Sequence, residues 1–119
     1  MTPVLVAVGA LVGAPLRLLA SRWAAREGGD PARGTLLVNV AGSAVLGAVL
    51  GLSRTPDEVV ALVGVGFCGT LTTFSTFGLD VVRLVEERRL GRAVAYLAAT
   101  LVLGVGAAAG AWAAAGQIR

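Results

Sequence analysis

Four long apolar runs, separated by short charged connectors, dominate this sequence. Each run is close to the ~20 residues that an α-helix needs to cross a ~30 Å hydrocarbon core at ~1.5 Å per residue. Because 56% of the 119 residues are hydrophobic, too little polar surface remains to cover four such helices in a water-soluble fold. The runs therefore predict an all-α, multi-pass membrane protein, a single domain over residues 1–119 with helices over residues 3–22, 34–52, 58–82 and 92–116.

The side-chain inventory argues against several other classes of protein. The chain has a single cysteine, Cys68, and no histidine. An internal disulfide is therefore impossible, and the usual zinc-site spacings and a Cys–His nucleophilic pair are both absent from the sequence. The sequence pI is near 10.5, but the basic residues are arginines at the ends of the apolar runs, where they meet lipid headgroups. We expect membrane lipid as a partner, no nucleic-acid binding and no enzymatic activity.

Polar side chains inside the runs are few, and most of them are neutral. Such groups are costly at membrane depth and usually face a cavity or one another. The candidates are Arg17, Asn39, Ser43, Thr72, Thr73, Ser75, Thr76, Tyr96 and Thr100. No carboxylate lies at the centre of a run, and Asp80, near the end of the third, comes closest. This pattern argues against proton-coupled transport, whereas neutral donors with one arginine suit an anion.

The stretch GFCGTLTTFSTF, residues 66–77, interrupts the third run with glycines and hydroxyl groups. Gly66 and Gly69 weaken a helix at this point, and the threonines that follow compete for backbone hydrogen bonds. A break in the third helix frees carbonyl oxygens, which are suitable ligands for a hard cation such as Na⁺. After the break, Phe74 and Phe77 are three residues apart on one face. Their positive ring edges either line a path for a small anion or pack in the core.

Small residues recur at a spacing of four, which places them on one helical face. The sets are Gly9 and Gly13; Ser43, Gly47 and Gly51; and Gly106 and Gly110. Such faces allow the backbones of two helices to approach closely in a membrane. They predict either close packing within the subunit, which we favour, or a tight interface between subunits.

Three motifs together resemble the CrcB/Fluc family of fluoride channels. Residues 66–77 are similar to that family's third-helix signature, residues 34–43 to its second-helix motif and residues 13–17 to its first-helix motif. The resemblance covers the whole chain, including its length and number of helices. It departs at Thr70, where the family usually has a second glycine, and at Gly104, where the family often has a hydroxyl group.

The resemblance implies an antiparallel, dual-topology homodimer of four-helix subunits in the cell membrane, with two fluoride pathways and a central structural Na⁺. The backbone carbonyls of Gly69 and Thr72 from both chains would hold the Na⁺, and Gly69→Ala should damage this site more than truncation of Thr72. The fluoride pathway would contain Arg17, Asn39, Phe74, Ser75, Thr76, Phe77, Tyr96 and Thr100. In it, Asn39 would donate its amide N–H, and Arg17 would either attract the anion or hold helix ends together. The implied function is passive export of fluoride.

Two other functions stay open. A small dual-topology exporter of drugs or cations has a similar size and helix count, but it would need a central membrane carboxylate. A non-conducting membrane scaffold would explain the small-residue faces, but it leaves the polar cluster in the third run unexplained.

The distribution of arginines bears on assembly. With four spans, the first and third connectors share one side of the membrane, where Arg22, Arg26, Arg33, Arg83, Arg88, Arg89 and Arg92 lie. The other side holds Arg54 and Arg119. The positive-inside rule then puts both termini outside, and the bias opposes insertion of one chain in both orientations. We favour a homodimer that tolerates the bias over an obligate pair with an oppositely biased paralogous subunit.

Overall fold

The structure is a computed structural model and describes residues 2–26, 29–52 and 54–117. This part of the chain consists of helices joined by short connectors. Helix α1 spans Thr2–Ala25, α2 spans Pro31–Gly51 and the last helix, α5, spans Leu90–Gly116. The third span, residues 57–86, lies between α2 and α5. All four are long and apolar enough to cross a membrane. Arg119, counted above, lies outside the described residues.

The third span is divided by two extended residues. Its first part, α3, covers residues 57–71, and its second, α4, covers Phe74–Glu86. Within α3, Val60–Cys68 forms wide π-helical turns, which often occur at functional sites. Thr72 (φ −78°, ψ 156°) and Thr73 (φ −150°, ψ 127°) are then extended, and the helix resumes at Phe74. The span as a whole bends by 20°.

The glycines expected to break the third helix do not do so. The chain stays helical through Gly66 and Gly69, and the Gly69 N–H donates to the Gly64 carbonyl across one of the wide turns. The interruption comes at the threonines, because their hydroxyl groups offer the backbone local alternatives to helical hydrogen bonds. Thr72 Oγ1 donates to the Cys68 carbonyl at 2.8 Å. The structure thus supports the predicted break in part, with a different cause.

Glycines bring α1 against α3. A Cβ atom at Gly9 would overlap the Leu62 carbonyl oxygen, and a Cβ at Gly66 would lie 2.5 Å from the Val6 carbonyl oxygen. A side chain at either glycine would therefore push the two backbones apart. At Gly69, in contrast, the nearest atom to such a Cβ is the Gly64 carbonyl oxygen at 4.0 Å. Of these two glycines, Gly66 is therefore the sterically restricted one.

A second glycine face brings α2 against α5. Cβ atoms at Gly47 and Gly51 would overlap the carbonyl oxygens of Ala108 and Trp112, respectively. These contacts confirm that this set of small residues packs helices within the subunit. Gly106 and Gly110 differ, since a Cβ at either position would meet nothing within 4 Å. That face of α5 is open in the single chain.

Large apolar side chains lie mainly on the outside. Leu11 in α1 is 74% exposed and Val102 in α5 is 69% exposed. The buried cluster is small and consists of Ala32, Phe77, Leu84, Ala93 and Tyr96. The molecule is 48 Å long, enough to pass through a ~30 Å hydrocarbon core with both ends in the headgroup regions. An apolar exterior of this length suits lipid as the surrounding solvent.

The first and third connectors meet at one end of the bundle, as the four-span arrangement predicts. Asp30 ends the first connector and caps α2, since its Oδ1 accepts the Ala32 N–H at 3.0 Å. The same oxygen accepts a hydrogen bond of 2.7 Å from Arg83 near the end of α4. Arg92, in the first turn of α5, lies 4.0 Å from the other carboxylate oxygen. This contact fixes three helix ends relative to one another.

Candidate functional site

The amide of Asn39 holds the two extended residues of the third span in place. Asn39 Nδ2 donates to the Thr73 carbonyl at 3.1 Å, and Asn39 Oδ1 accepts the Thr73 N–H at 2.8 Å. A backbone unit that leaves a helix at membrane depth has no water to bond to, so it needs protein partners. Asn39 supplies both a donor and an acceptor to one residue. Since Nδ2 carries two hydrogens, one N–H of this amide remains for another acceptor.

Two backbone N–H groups at the break leave the partners that a continuous helix would give them. In an α-helix the Thr73 N–H would bond to the Gly69 carbonyl. That N–H donates to Asn39 instead. By the same rule the Thr76 N–H would bond to the Thr72 carbonyl, but it donates to Thr73 Oγ1 at 3.2 Å. The carbonyls of Gly69 and Thr72 are therefore released from α-helical hydrogen bonding.

The released carbonyls have the donor chemistry of a site for a hard cation. Carbonyl oxygens are ligands that Na⁺ accepts without any charged side chain. Within residues 2–26, 29–52 and 54–117, no group of three or more His, Cys, Asp or Glu side chains could hold a metal. The carbonyl oxygens of Gly69 and Thr72 have the chemistry that such a cation needs without a charged side chain.

A groove of about 370 Å³ opens beside the break, between α2, the third span and α5. Its lining brings together six of the predicted site residues: Asn39, Gly69, Thr72, Phe74, Phe77 and Thr100. The other lining residues are Gly42, Ser43, Leu46, Gly64, Cys68, Thr73 and Leu101. No acidic or basic side chain contributes to the wall. The groove is therefore neutral, mostly apolar and supplied with a few hydrogen-bonding groups.

The two phenylalanines occupy different environments. Their ring centroids are 6.1 Å apart and the ring planes are tilted by 53°. Phe74 is 85% exposed, whereas Phe77 is 9% exposed and packs against Tyr96 with a centroid distance of 5.2 Å. Both rings line the groove. Phe77 thus serves core packing and the groove wall together, and Phe74 has almost no packing role within one chain.

Hydroxyl groups of α5 lie on the inner side of the bundle. The Tyr96 hydroxyl is buried and donates to Asp80 Oδ2 at 3.0 Å. Thr100, one turn further along, lines the groove, and its Oγ1 is buried without a hydrogen-bond partner in the described part of the chain. Buried hydroxyl groups are normally satisfied. An unsatisfied one in the wall of a groove is suited to bind a ligand that accepts a hydrogen bond.

Four predicted site residues lie outside the groove lining. Ser75 is exposed, with its Oγ 3.4 Å from Thr73 Oγ1, and Thr76 follows it in α4. Tyr96 lies behind Phe77 rather than in the wall. Arg17 is half-buried on α1 and forms no ion pair with another described residue.

Comparison with known proteins identifies the relationship that this site suggests. Residues 4–112 match the family described as CrcB-like protein, Camphor Resistance (CrcB). The chain belongs to the CrcB family. Fluoride-specific ion channel FluC 1 of Geobacillus kaustophilus is 46% identical over 103 residues, which are 87% of this chain and 88% of that protein.

Two further relatives extend the CrcB similarity over almost the whole chain. Fluoride-specific ion channel FluC 2 of Rhodococcus jostii is 43% identical over 108 residues, covering 91% of this chain and 93% of the relative. Fluoride-specific ion channel FluC of Methanopyrus kandleri is 45% identical over 115 residues, covering 92% and 86%. The similarity therefore extends over residues of all four spans.

Two residues of this CrcB-family site were not assigned a role from the sequence. Thr73 caps α4 and is the partner of Asn39, but a threonine among several others gives no signal of which one is extended. Asp80 is 7% exposed and holds the Tyr96 hydroxyl. The burial of Asp80 could have been predicted from the sequence, because Phe77, Asp80 and Leu84 lie on one helical face at spacings of three and four. A carboxylate on an otherwise apolar face requires a buried partner.

Proposed function

We propose that this chain is a fluoride-selective channel of the cell membrane that lets fluoride leave the cell passively. The observation that carries the proposal is the neutral groove of about 370 Å³, which combines the Asn39 amide, two phenyl rings and the unpartnered Thr100 hydroxyl. The relatives described above are named as fluoride-specific ion channels. The family relationship and the chemistry of the groove support the same function.

The groove offers a small anion partners that replace its water. Asn39 has one N–H free of Thr73, Thr100 has an unused hydroxyl hydrogen, and phenyl edges carry positive quadrupole charge. Phe74 and Phe77 line the groove from successive turns of α4 and can offer such edges to an anion. No carboxylate in the lining repels the anion, and no fixed cation holds it tightly. Weak, successive partners of this kind suit conduction, because an ion must leave each site as readily as it enters.

We further propose that a structural Na⁺ is held by the backbone carbonyls of Gly69 and Thr72. The support is the diversion of their helical partners, the N–H groups of Thr73 and Thr76, to Asn39 Oδ1 and Thr73 Oγ1. When bound, Na⁺ would supply positive charge that stabilises the released carbonyls. The residues of the chain hold the break open, orient the carbonyls and keep charged side chains away from them.

The groove in one chain is open, and we propose that a second copy in antiparallel orientation closes it. The Phe74 side chain is 85% exposed in the single chain. No neighbouring helix in the described part of the chain covers this ring. A partner copy would cover this ring and contribute its own Gly69 and Thr72 carbonyls to a shared Na⁺. The arginine bias keeps a paralogous partner as the alternative to a homodimer.

Fluoride efflux from liposomes that contain only this purified protein tests the proposal. With K⁺ ionophore present to carry the balancing charge, an external fluoride electrode should record rapid release of fluoride. Liposomes loaded with chloride instead should release it far more slowly. A protein that is folded but releases neither ion, or releases both at one rate, would contradict fluoride-selective conduction.

Assembly is tested on the same preparation. A homodimer predicts that the protein purified alone is dimeric in detergent and active in liposomes. A chain that stays monomeric and silent alone, but conducts when a second family member is co-expressed, would establish the paralogous pair instead.

A further inference from the structure

A basic recess lies at the end of the bundle where the first and third connectors meet. Two adjoining cavities, of about 470 Å³ and 350 Å³, share Gly29 and Arg33 in their walls. The arginines that line them define the basic recess: Arg26, Arg33, Arg83, Arg89 and Arg92. It lies apart from the neutral groove, whose lining shares no residue with it.

The basic recess carries an excess of positive charge. Among the described residues, its walls contain two acids, Asp30 and Glu87, against the five arginines. Asp30 is bonded to Arg83 at 2.7 Å, and Glu87 lies 3.6 Å from Arg89. Both acids are therefore already shared among arginines.

Two arginines of the recess have no acidic partner among the described residues. Arg26 and Arg33 form no ion pair with any residue in the part of the chain that the structure describes. They lie at the end of α1 and the start of α2 and line the same cavity. A pair of unneutralised guanidinium groups is suited to a phosphate, because each presents parallel N–H donors to two oxygens.

The recess also borders a surface that suits acyl chains. Trp23 lines the same cavity as Arg26 and Arg33 and is 62% exposed. Leu19, one turn before Trp23 on α1, is 57% exposed. Tryptophan at the end of a membrane span lies at the level of the lipid headgroups. The structure thus places an apolar strip on the outside of α1, directly beside unneutralised arginines.

We propose that the basic recess binds the phosphodiester group of an anionic phospholipid, with its acyl chains along the Leu19–Trp23 strip of α1. Basic pockets between spans bind such headgroups in other membrane proteins. The apolar strip favours a lipid over free phosphate, because free phosphate gains nothing from exposed Trp23. This inference does not depend on fluoride conduction, and its test measures lipid binding alone.

Quenching of Trp23 fluorescence by brominated lipid tests the proposal in the full-length chain. The chain has two tryptophans, so the Trp112→Phe variant contains Trp23 alone. The protein is reconstituted in phosphatidylcholine vesicles with a small fraction of either brominated phosphatidylglycerol or brominated phosphatidylcholine. We expect phosphatidylglycerol to quench Trp23 several-fold more effectively at equal fraction. Equal quenching by the two lipids would overturn the proposal.

Single charge removals locate the preference. Arg33→Gln and, separately, Arg26→Gln should each reduce the preference for phosphatidylglycerol about fivefold, the factor expected for one arginine at an anionic surface. Arg54→Gln removes one charge at the opposite end and should leave the preference unchanged. If both recess variants are folded and keep the full preference, the recess is not the site. If millimolar inorganic phosphate abolishes the preference, the site takes free phosphate and the lipid assignment is wrong.

Discussion

The two parts of the third span are held in the bundle by different means. In α3 the contacts with α1 are between backbones: Gly66 lies against Val6, and no side chain could be added without moving a helix. In α4 the contacts are between side chains, with Phe77 on Tyr96 and Asp80 bonded to the Tyr96 hydroxyl. The first part therefore tolerates almost no change in volume at Gly66, whereas the second depends on the chemical identity of its side chains.

This difference explains where the functional groups lie. Backbone contact with α1 fixes the position of α3. The wide turns of α3 are followed by Gly69 and Thr72, whose carbonyls lack their α-helical partners. A helix held by side chains on one face can leave its other face free, as Phe74 shows. Asn39 joins the two parts, because it bonds to Thr73 between them.

Gly66→Ala should separate α1 from α3. The added Cβ would lie 2.5 Å from the Val6 carbonyl oxygen, so one backbone must shift. Overpacking of this kind costs about 1–3 kcal/mol, and thermal unfolding in detergent should show the loss. Gly69→Ala is the matched control, since its Cβ would have no neighbour closer than 4.0 Å. Equal destabilisation by the two variants would contradict the distinction between these glycines.

Asn39→Asp should weaken the contact between Asn39 and Thr73, which lies between α3 and α4. An ionised carboxylate can still accept the Thr73 N–H but cannot donate to the Thr73 carbonyl, so one of the two hydrogen bonds between Asn39 and Thr73 is lost. The negative charge also repels an anion in the groove. The variant also removes the N–H that Asn39 offers to an anion; a hydrogen bond to a charged group is worth about 1.5–3 kcal/mol, so fluoride flux should fall about a hundredfold at neutral pH. Normal flux in a folded variant would exclude a direct role for Asn39.

Phe74→Ile tests the free face of α4. The side chain is 85% exposed, so the folded state of the single chain should lose almost nothing. Flux should fall about tenfold if the ring edge contributes to anion binding, because such aromatic contacts are worth about 0.5–1.5 kcal/mol. Leu79→Ile, on an equally open part of α4 at 70% exposure, is the control for a change of apolar shape. Unchanged flux with Phe74→Ile would remove this ring from the pathway.

Phe77→Ile complements that test, since Phe77 is buried against Tyr96. It should reduce both flux and thermal stability, in contrast to Phe74→Ile. Loss of stability with normal flux would assign Phe77 to packing alone.

The sequence was informative about the spans and about which residues share the groove. Run length predicts helices because a membrane demands about 20 apolar residues. The polar residues within those runs predict a lining because lipid cannot satisfy them, and Asn39, Phe74 and Thr100 do meet in one groove. These conclusions need only composition and spacing, which are local properties of the chain.

The remaining features depend on contacts that local patterns do not contain. Asn39 bonds to a residue 34 positions away, so its partner could not be chosen from the sequence. Phe74 and Phe77 have the same spacing pattern, yet only Phe77 is covered, because Tyr96 of α5 lies beside it. The glycines of the third run favoured a break at Gly66 or Gly69. In the structure, Gly66 allows close packing of the third span against α1. The helix is interrupted at Thr72 and Thr73 instead.

Thr73→Ala tests the start of α4 with a smaller expected effect. The hydroxyl accepts the Thr76 N–H, and removing such a cap costs about 1 kcal/mol. The melting temperature should fall accordingly, while Thr73→Ser, which retains the oxygen, should restore it. A Thr73→Ala variant as stable as the wild type would show that the cap does not hold the second part of the span.

The smallest effect is expected at the far end of α4, where Arg83 bonds to Asp30. Burial raises the pKa of Asp30, but the Ala32 N–H together with Arg83 and Arg92 outweighs burial, so the pKa lies below its usual value. A carboxylate with a lowered pKa stabilises the fold at pH above its unfolded value of about 3.9, and the contribution is lost as pH falls through the folded pKa. Because Arg83 is 39% exposed, we expect less than about 1 kcal/mol.

Asp30→Asn isolates this charge, since asparagine can still cap α2. The wild type should melt slightly above the variant near neutral pH, and the two curves should converge on acidification below about pH 3.9. Arg83→Gln should shrink the difference at neutral pH by removing the main ionic partner of Asp30. A difference between wild type and Asp30→Asn that persists at acidic pH would mean that α4 is held at this end by geometry rather than by charge. The end of α4 near Arg83 would then be held by packing and uncharged hydrogen bonds, as the rest of α4 is.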